Sequence, residues 1–267
     1  MSPYLSVRQF GPVARQHRAT IASLPAALRC IDAGAADIVV TTPDLATVEA
    51  ALAAAGKAIV ITDPVAIGDE ASRRLAEARV AVFPALLLTP SLGQLDAASS
   101  LAGAGLIHSR LNWHGDMTAA IFEHIAGLSS VVGALSEVEL RAGAGQGYVG
   151  SARATSGGAV LWSGTAGSAL PSYELDIVGL GERLEVRADL DGSARPFVLR
   201  RAHAGGQEQP VGIYETGLRL FWRGVVDALS GGKVMPHWSD ILEYRDLAAR
   251  LVAHQPRSIS GAASAAG

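Results

Sequence analysis

The chain has 267 residues, 22 Lys plus Arg against 25 Asp plus Glu for a formal charge of −3, 49% hydrophobic residues and a mean hydropathy of +0.27. That is enough apolar material for one large or two modest cores, which excludes collagen-like and disordered classes, and the slightly acidic balance lacks the basic face that nucleic acid requires. The lone Cys30 leaves no disulfide framework and no cysteine-rich zinc site. The apolar runs are broken by Gly, Pro or charge well short of the about 20 residues that cross a bilayer. Met1 to Arg8 has no basic-then-apolar leader, so a soluble, cytoplasmic protein with no membrane partner is expected.

In chain order, Tyr4 to Arg8 reads as an opening strand and Arg15 to Ile21 as a helix. Asp37 to Thr41 is a β-branched run closed by Thr42-Pro43, the mark of a buried strand and its exit turn. Asp44 then caps an Ala-rich helix over Leu45 to Ala55, with Gly56 at its C-terminal stop. Ala58 to Ile61 is the next strand, Glu70 to Arg79 a helix and Val80 to Phe83 a further strand. Strands alternating with helices over short turns require parallel pairing, because parallel strands need a crossover.

From Val138 to Leu199 the period changes to two, in Val138–Arg141, Ala159–Trp162, Tyr173–Ile177 and Leu184–Arg187, which predicts antiparallel strands with one solvated face. Tyr214, Leu218, Phe221, Trp222, Val225 and Leu229 return to helical spacing before Gly231-Gly232, and Ser239 caps a last helix to about Ala253. The expected architecture is a shortened Rossmann-like parallel α/β unit over 1–107. An α+β unit with an open antiparallel sheet and C-terminal helices follows over 108–254, and then a disordered Ser/Ala/Gly tail over 255–267.

The order of elements and three local motifs resemble the Gfo/Idh/MocA family of sugar and polyol oxidoreductases, nearest to sugar 1-dehydrogenases acting on galactose or arabinose. The motifs are Asp37-Ile38-Val39-Val40-Thr41-Thr42-Pro43, the block Ala50 to Pro64, and Gly231-Gly232-Lys233 through Ile241. The resemblance implies NAD or NADP as cofactor, with Gly11, Pro12 and Val13 of the phosphate loop and the Thr42-Pro43 turn against it. It also implies a charged residue at Asp63, where the family's Glu-Lys-Pro is here Thr62-Asp63-Pro64, and a helical Asp-x-x-x-His pair that maps onto Glu123 or His124. Asp63, Glu123 and His124 are thus the candidate proton acceptors.

Three departures set the functional expectation. Gln9 stands where the phosphate loop has its first glycine. Only Ser23 to Ala33 separates the first helix from the Asp37 strand, so a strand and helix, and with them the acidic residue that reads the adenosine ribose, are expected to be missing, and Asp32 is not assigned that role. Asp63 reverses the charge of a lysine that would steady an alkoxide. The leading expectation is therefore an oxidoreductase homologue with impaired cofactor binding and hydride transfer, acting as a non-catalytic subunit beside a full-length homologous dehydrogenase. The alternative is an active NAD(P)-dependent dehydrogenase of a small sugar or related alcohol. The open sheet predicts a homo-oligomer. His108, His114, Asp116 and His124 follow no zinc spacing, so no metal is expected.

Overall fold

The computed structural model describes residues 4–10, 15–92, 104–142, 146–190, 197–209, 214–232 and 235–253. The first half is β1 (Leu5–Gln9), α1 (Arg15–Ala22), β2 (Leu28–Cys30), β3 (Ala36–Thr41), α2 (Leu45–Ala54), β4 (Ala55–Ile61), a 3-10 turn at Pro64–Ala66, α3 (Asp69–Ala76), β5 (Ala81–Pro84) and α4 (Leu88–Leu92). Its five strands are all parallel, in the order β2-β1-β3-β4-β5. Ile38, Val39, Val40, Ile59, Val60 and Ile61 are fully buried, because helices cover both faces of the central strands and select a continuous aliphatic run. Asp44 caps α2 by accepting from the Thr47 N–H at 3.0 Å. Gly56 does not stop that helix, since the chain is already extended at Ala55.

The expected loss of a strand is corrected by β2. Leu28, Arg29 and Cys30 pair in parallel with Leu5, Ser6 and Val7, so the strand beside β1 is present. From β2 the chain passes through Ile31 to Ala35 directly into β3, with no helix between the two strands. The Arg8 guanidinium donates to the Gly34 carbonyl at 2.8 Å, and Asp37 accepts from both the N–H and the hydroxyl of Ser6. Three residues with one apolar side chain fully inside carry no period, which is why β2 escapes a reading by pattern.

The second half contains β6 (Ala104–Asn112), α5 (Met117–Val132), β7 (Leu135–Ala142), β8 (Gly147–Ala154), β9 (Ala159–Thr165), β10 (Ser172–Gly179), β11 (Glu182–Asp189), β12 (Val198–His203), β13 (Gly206–Glu208), α6 (Gly217–Leu229) and α7 (Trp238–Ala253). The eight strands run β13-β12-β11-β10-β6-β9-β8-β7. All pairs are antiparallel except β6 with β9, which is parallel and corrects the purely antiparallel expectation. One face lies on α5, and one core joins α2 and α3 through α4 and α5 to this sheet. On the other face Leu106, Val149 and Leu161 stay exposed beside an Arg183–Asp176–Glu185 ion cluster. Helix α6 returns to the first sheet, where Phe221, Trp222 and Val225 bury against Val7, Ile38 and Val40. The phosphate-loop residues Gly11, Pro12 and Val13 and the tail from 254 lie outside the described residues.

Candidate functional site

In a doubly wound sheet the ligand crevice opens at the carboxyl ends of the strands, where neighbouring connections leave in opposite directions. Here that point lies between β1, which ends at Gln9, and β3, which ends at Thr41. Gln9 is half-buried, and among the described residues its buried side-chain nitrogen has no hydrogen-bond partner. Across β1, Asp32 follows the end of β2 by two residues and is exposed. Its charge and that of Arg18 both act on the Cys30 thiol, whose pKa burial raises. Asp32 therefore occupies the place where a Rossmann fold carries its ribose-reading acid, about 20 residues after the phosphate loop. The spacing was visible in the sequence; the strand that gives it meaning was not.

The Thr42-Pro43 turn sits at the end of β3, but the Thr42 hydroxyl is engaged with Asp44 and with the Thr47 hydroxyl at 2.9 Å. It rigidifies the start of α2 instead of standing free for a ligand. Beyond β4, Asp63 adopts a left-handed conformation (φ 49°, ψ 59°) before Pro64, a backbone state that costs a non-glycine residue energy. Asp63 is exposed at the surface, yet its carboxyl is pushed above the usual range, first by partial desolvation and then by the negative charge of Asp116.

Asp116 caps α5 by accepting from the Ala119 N–H at 2.8 Å. Glu123 lies seven residues on, two turns along the same face of that helix. Only 5% exposed, Glu123 accepts from the Leu87 and Leu88 N–H groups, both at 3.4 Å. Its carboxyl pKa stands raised at about 7: burial pushes it up, the two amides pull part of that back, and the Asp63 charge adds to the rise. Asp63, Asp116 and Glu123 thus form one acidic corner at the carboxyl ends of β4 and β5.

His124 does not join them. It points a quarter-turn away, into the second sheet, with Nε2 2.7 Å from the Ser109 hydroxyl and Nδ1 3.0 Å from the Tyr148 hydroxyl. The rings of Trp162, Tyr148 and Tyr173 meet it edge-on at 5.2, 5.9 and 6.0 Å. Fully enclosed, its pKa falls to about 3, so it is neutral near pH 7. The structure thus places the candidate acceptor His124 in the core between α5 and the second sheet. His108 stands on the opposite, open face of the same sheet, and among the described residues no group of three metal-ligating side chains comes together. A cavity of about 540 Å³ lies between the two halves, bordered by Gln16 and Thr20 of α1, Leu87, His114, Phe197 and Glu215.

No family model matches the sequence, and no curated protein matches it. Solved structures do match over nearly the whole chain. UDP-N-acetylglucosamine 3-dehydrogenase GnnA from Acidithiobacillus ferrooxidans superposes with a TM-score of 0.71 at 11% identity, covering 94% of this chain and 98% of that one. Levoglucosan dehydrogenase in complex with NADH gives 0.68 at 13%, covering 94% and 96%. An oxidoreductase from Agrobacterium radiobacter with NAD+, L-tartaric acid and magnesium gives 0.69 at 12%, again covering 94% and 96%. These neighbours are Gfo/Idh/MocA-type oxidoreductases, and the chain shares their fold. Among the described residues no helix is long and apolar enough to cross a membrane.

Proposed function

We propose that the protein is an NAD-dependent dehydrogenase of a small sugar or related alcohol, working in the cytoplasm, with Glu123 as its proton acceptor. The observation that carries this reading is Glu123 itself: a carboxyl enclosed at the carboxyl ends of the parallel strands, with a pKa of about 7. A general base works best when its pKa lies near the ambient pH, and burial is the usual way to bring a carboxyl there. The open Gln9 amide and the exposed Asp32 fit a dinucleotide, Asp32 accepting from ribose hydroxyls and Gln9 donating to an acceptor nearby. The nicotinamide, when bound, supplies the hydride acceptor. Glu123 takes the hydroxyl proton, and Asp63, being negative, keeps a second charge away and helps hold Glu123 ready to accept it. Two of the structural neighbours are named with NADH or NAD+ bound, which favours the same cofactor.

A second reading has its own observation. β2 and β3 are joined by only Ile31 to Ala35, which leaves little chain to wall the adenosine half, and Asp63 offers no positive charge to an alkoxide, so the chain would serve as a non-catalytic subunit of a full-length homologous dehydrogenase. In either case the open face of the second sheet, with Leu106, Val149 and Leu161, is the surface we assign to pairing, with a second copy or with that homologue. Titration with NAD+ and NADP+ followed by tryptophan fluorescence separates the readings. Micromolar binding that Asp32→Ala weakens supports the dehydrogenase; no response up to millimolar cofactor supports the subunit.

A further inference from the structure

Helix α4 has only five residues, and its placement is decided by two glycines on opposite sides. On the α6 side, a Cβ built on Gly217 would lie 2.3 Å from the Leu87 carbonyl oxygen and 3.2 Å from its carbon. The obstacle is backbone and cannot swing aside, so only glycine permits this approach. On the α5 side, a Cβ on Gly127 would lie 2.5 Å from Leu88 Cδ2 and 3.3 Å from Leu92 Cδ1. Gly127 is one turn beyond Glu123 on the same helix.

The peptide between Leu87 and Leu88 spans this slot. A trans peptide directs its carbonyl and its N–H to opposite sides. Here the carbonyl oxygen abuts Gly217, and the N–H faces Glu123 Oε2 at 3.4 Å, while the Leu87 N–H faces Oε1 at the same distance. Taking Glu123 as the proton acceptor proposed above, we propose that Gly217 and Gly127 are positioning residues for the reaction, pinching α4 so that its two leading amides face the Glu123 carboxylate. Among the described residues those amides are its hydrogen-bond donors, so their aim sets how readily Glu123 holds a charge.

The other groups around Glu123 are accounted for. Asp63 acts on it electrostatically, and Asp116 in turn acts on Asp63. From α7, Arg245 is turned to the Ile67 carbonyl and Asp69, and Tyr244 to Ser129. Just before α6, Glu215 is paired with Arg219 and Arg223 of that helix. The second sheet presents Ser109 and Tyr148 to His124, on the other side of α5.

The test is the titration midpoint of Glu123 in the cofactor-free protein, read from the carboxyl infrared band and assigned by its loss in Glu123→Gln. Gly217→Ala is expected to raise the midpoint by about one pH unit, because the amides are pushed off their acceptor. Gly127→Ala should move it in the same direction by less, since the obstacle there is the Leu88 side chain and not backbone. Gly224→Ala, in the same helix but against the flexible Met235 side chain, should leave it unchanged. A midpoint unmoved in both Gly217→Ala and Gly127→Ala overturns the proposal, and if Gly217→Ala does not fold, Gly127→Ala decides alone. The readout needs no turnover, so a shifted midpoint in a protein that never oxidises an alcohol would retire the function while keeping the positioning role.

Discussion

Replacing His124 with leucine distinguishes a core histidine from a catalytic one. Leucine keeps most of the bulk but removes the partner of the Ser109 hydroxyl (2.7 Å) and of the Tyr148 hydroxyl (3.0 Å), both in a place closed to water. Each buried polar group left without a partner costs about 1–3 kcal/mol, so the loss lies near 2–4 kcal/mol once the Tyr173 hydroxyl beside Ser109 takes up part of the deficit. Urea unfolding followed by tryptophan fluorescence at pH 7 should show a lower midpoint with an unchanged slope. The pH dependence gives a second check. In wild type the unfolded His124 binds a proton near pH 6.5, whereas the folded one does so only at about 3, so stability is lost as pH falls through that interval. The acid limb should therefore flatten in His124→Leu without vanishing, because His17, lowered to about 4 by burial, contributes to the same limb. A variant as stable as wild type that has lost only turnover would refute this and return His124 to the chemistry.

Glu123 acts with the opposite sign. Its folded pKa of about 7 lies above the unfolded 4.5, so its contribution is present at low pH and lost as pH rises from 4.5 to 7; Glu123→Gln should remove that slope from urea midpoints and lower kcat/KM by about a hundredfold or more. Asp32→Ala should weaken NAD+ by about tenfold in a fluorescence titration while leaving the melting temperature in place, since the residue is exposed. Gly217→Ala should destabilise the fold despite the about 1 kcal/mol that alanine contributes over glycine in a helix, because the Leu87 carbonyl blocks it; thermal melting gives the sign. Leu161→Glu, on the open sheet face, should convert an oligomer to a 27.5 kDa monomer in light scattering, and a wild type already at that mass would end the pairing proposal.

Much of the first sheet was legible because its central strands are covered on both faces and so appear as unbroken aliphatic runs, Ile38–Val40 and Ile59–Ile61. β2 was not, since a three-residue edge strand has no period to detect, and its absence from the reading removed the context that makes Asp32 meaningful. β9 and β10 were legible by alternation, but alternation carries no direction, and the parallel partnership of β6 with β9 is settled by chain path alone. In α5, Glu123 and His124 are neighbours in sequence and opposite in role. The helix is nearly apolar all round, so its pattern could not say which face meets the crevice and which the aromatic residues of the second sheet.

The position of β6 in the middle of its sheet has a consequence for how the protein is made. Its edges are taken by β9 on one side and β10 on the other, and the hydrogen bonds Asn112–Thr165 and Asn112–Ser172 close loops of 53 and 60 residues. Neighbouring elements of the first sheet, by contrast, meet through short local crossovers. Loop-closure entropy falls hardest on the distant pairings, so the amino-terminal layer can consolidate while β6 still waits for both flanks. During synthesis that waiting strand, with Leu106, Ile107 and Leu111 uncovered, is the segment on which a chaperone would act.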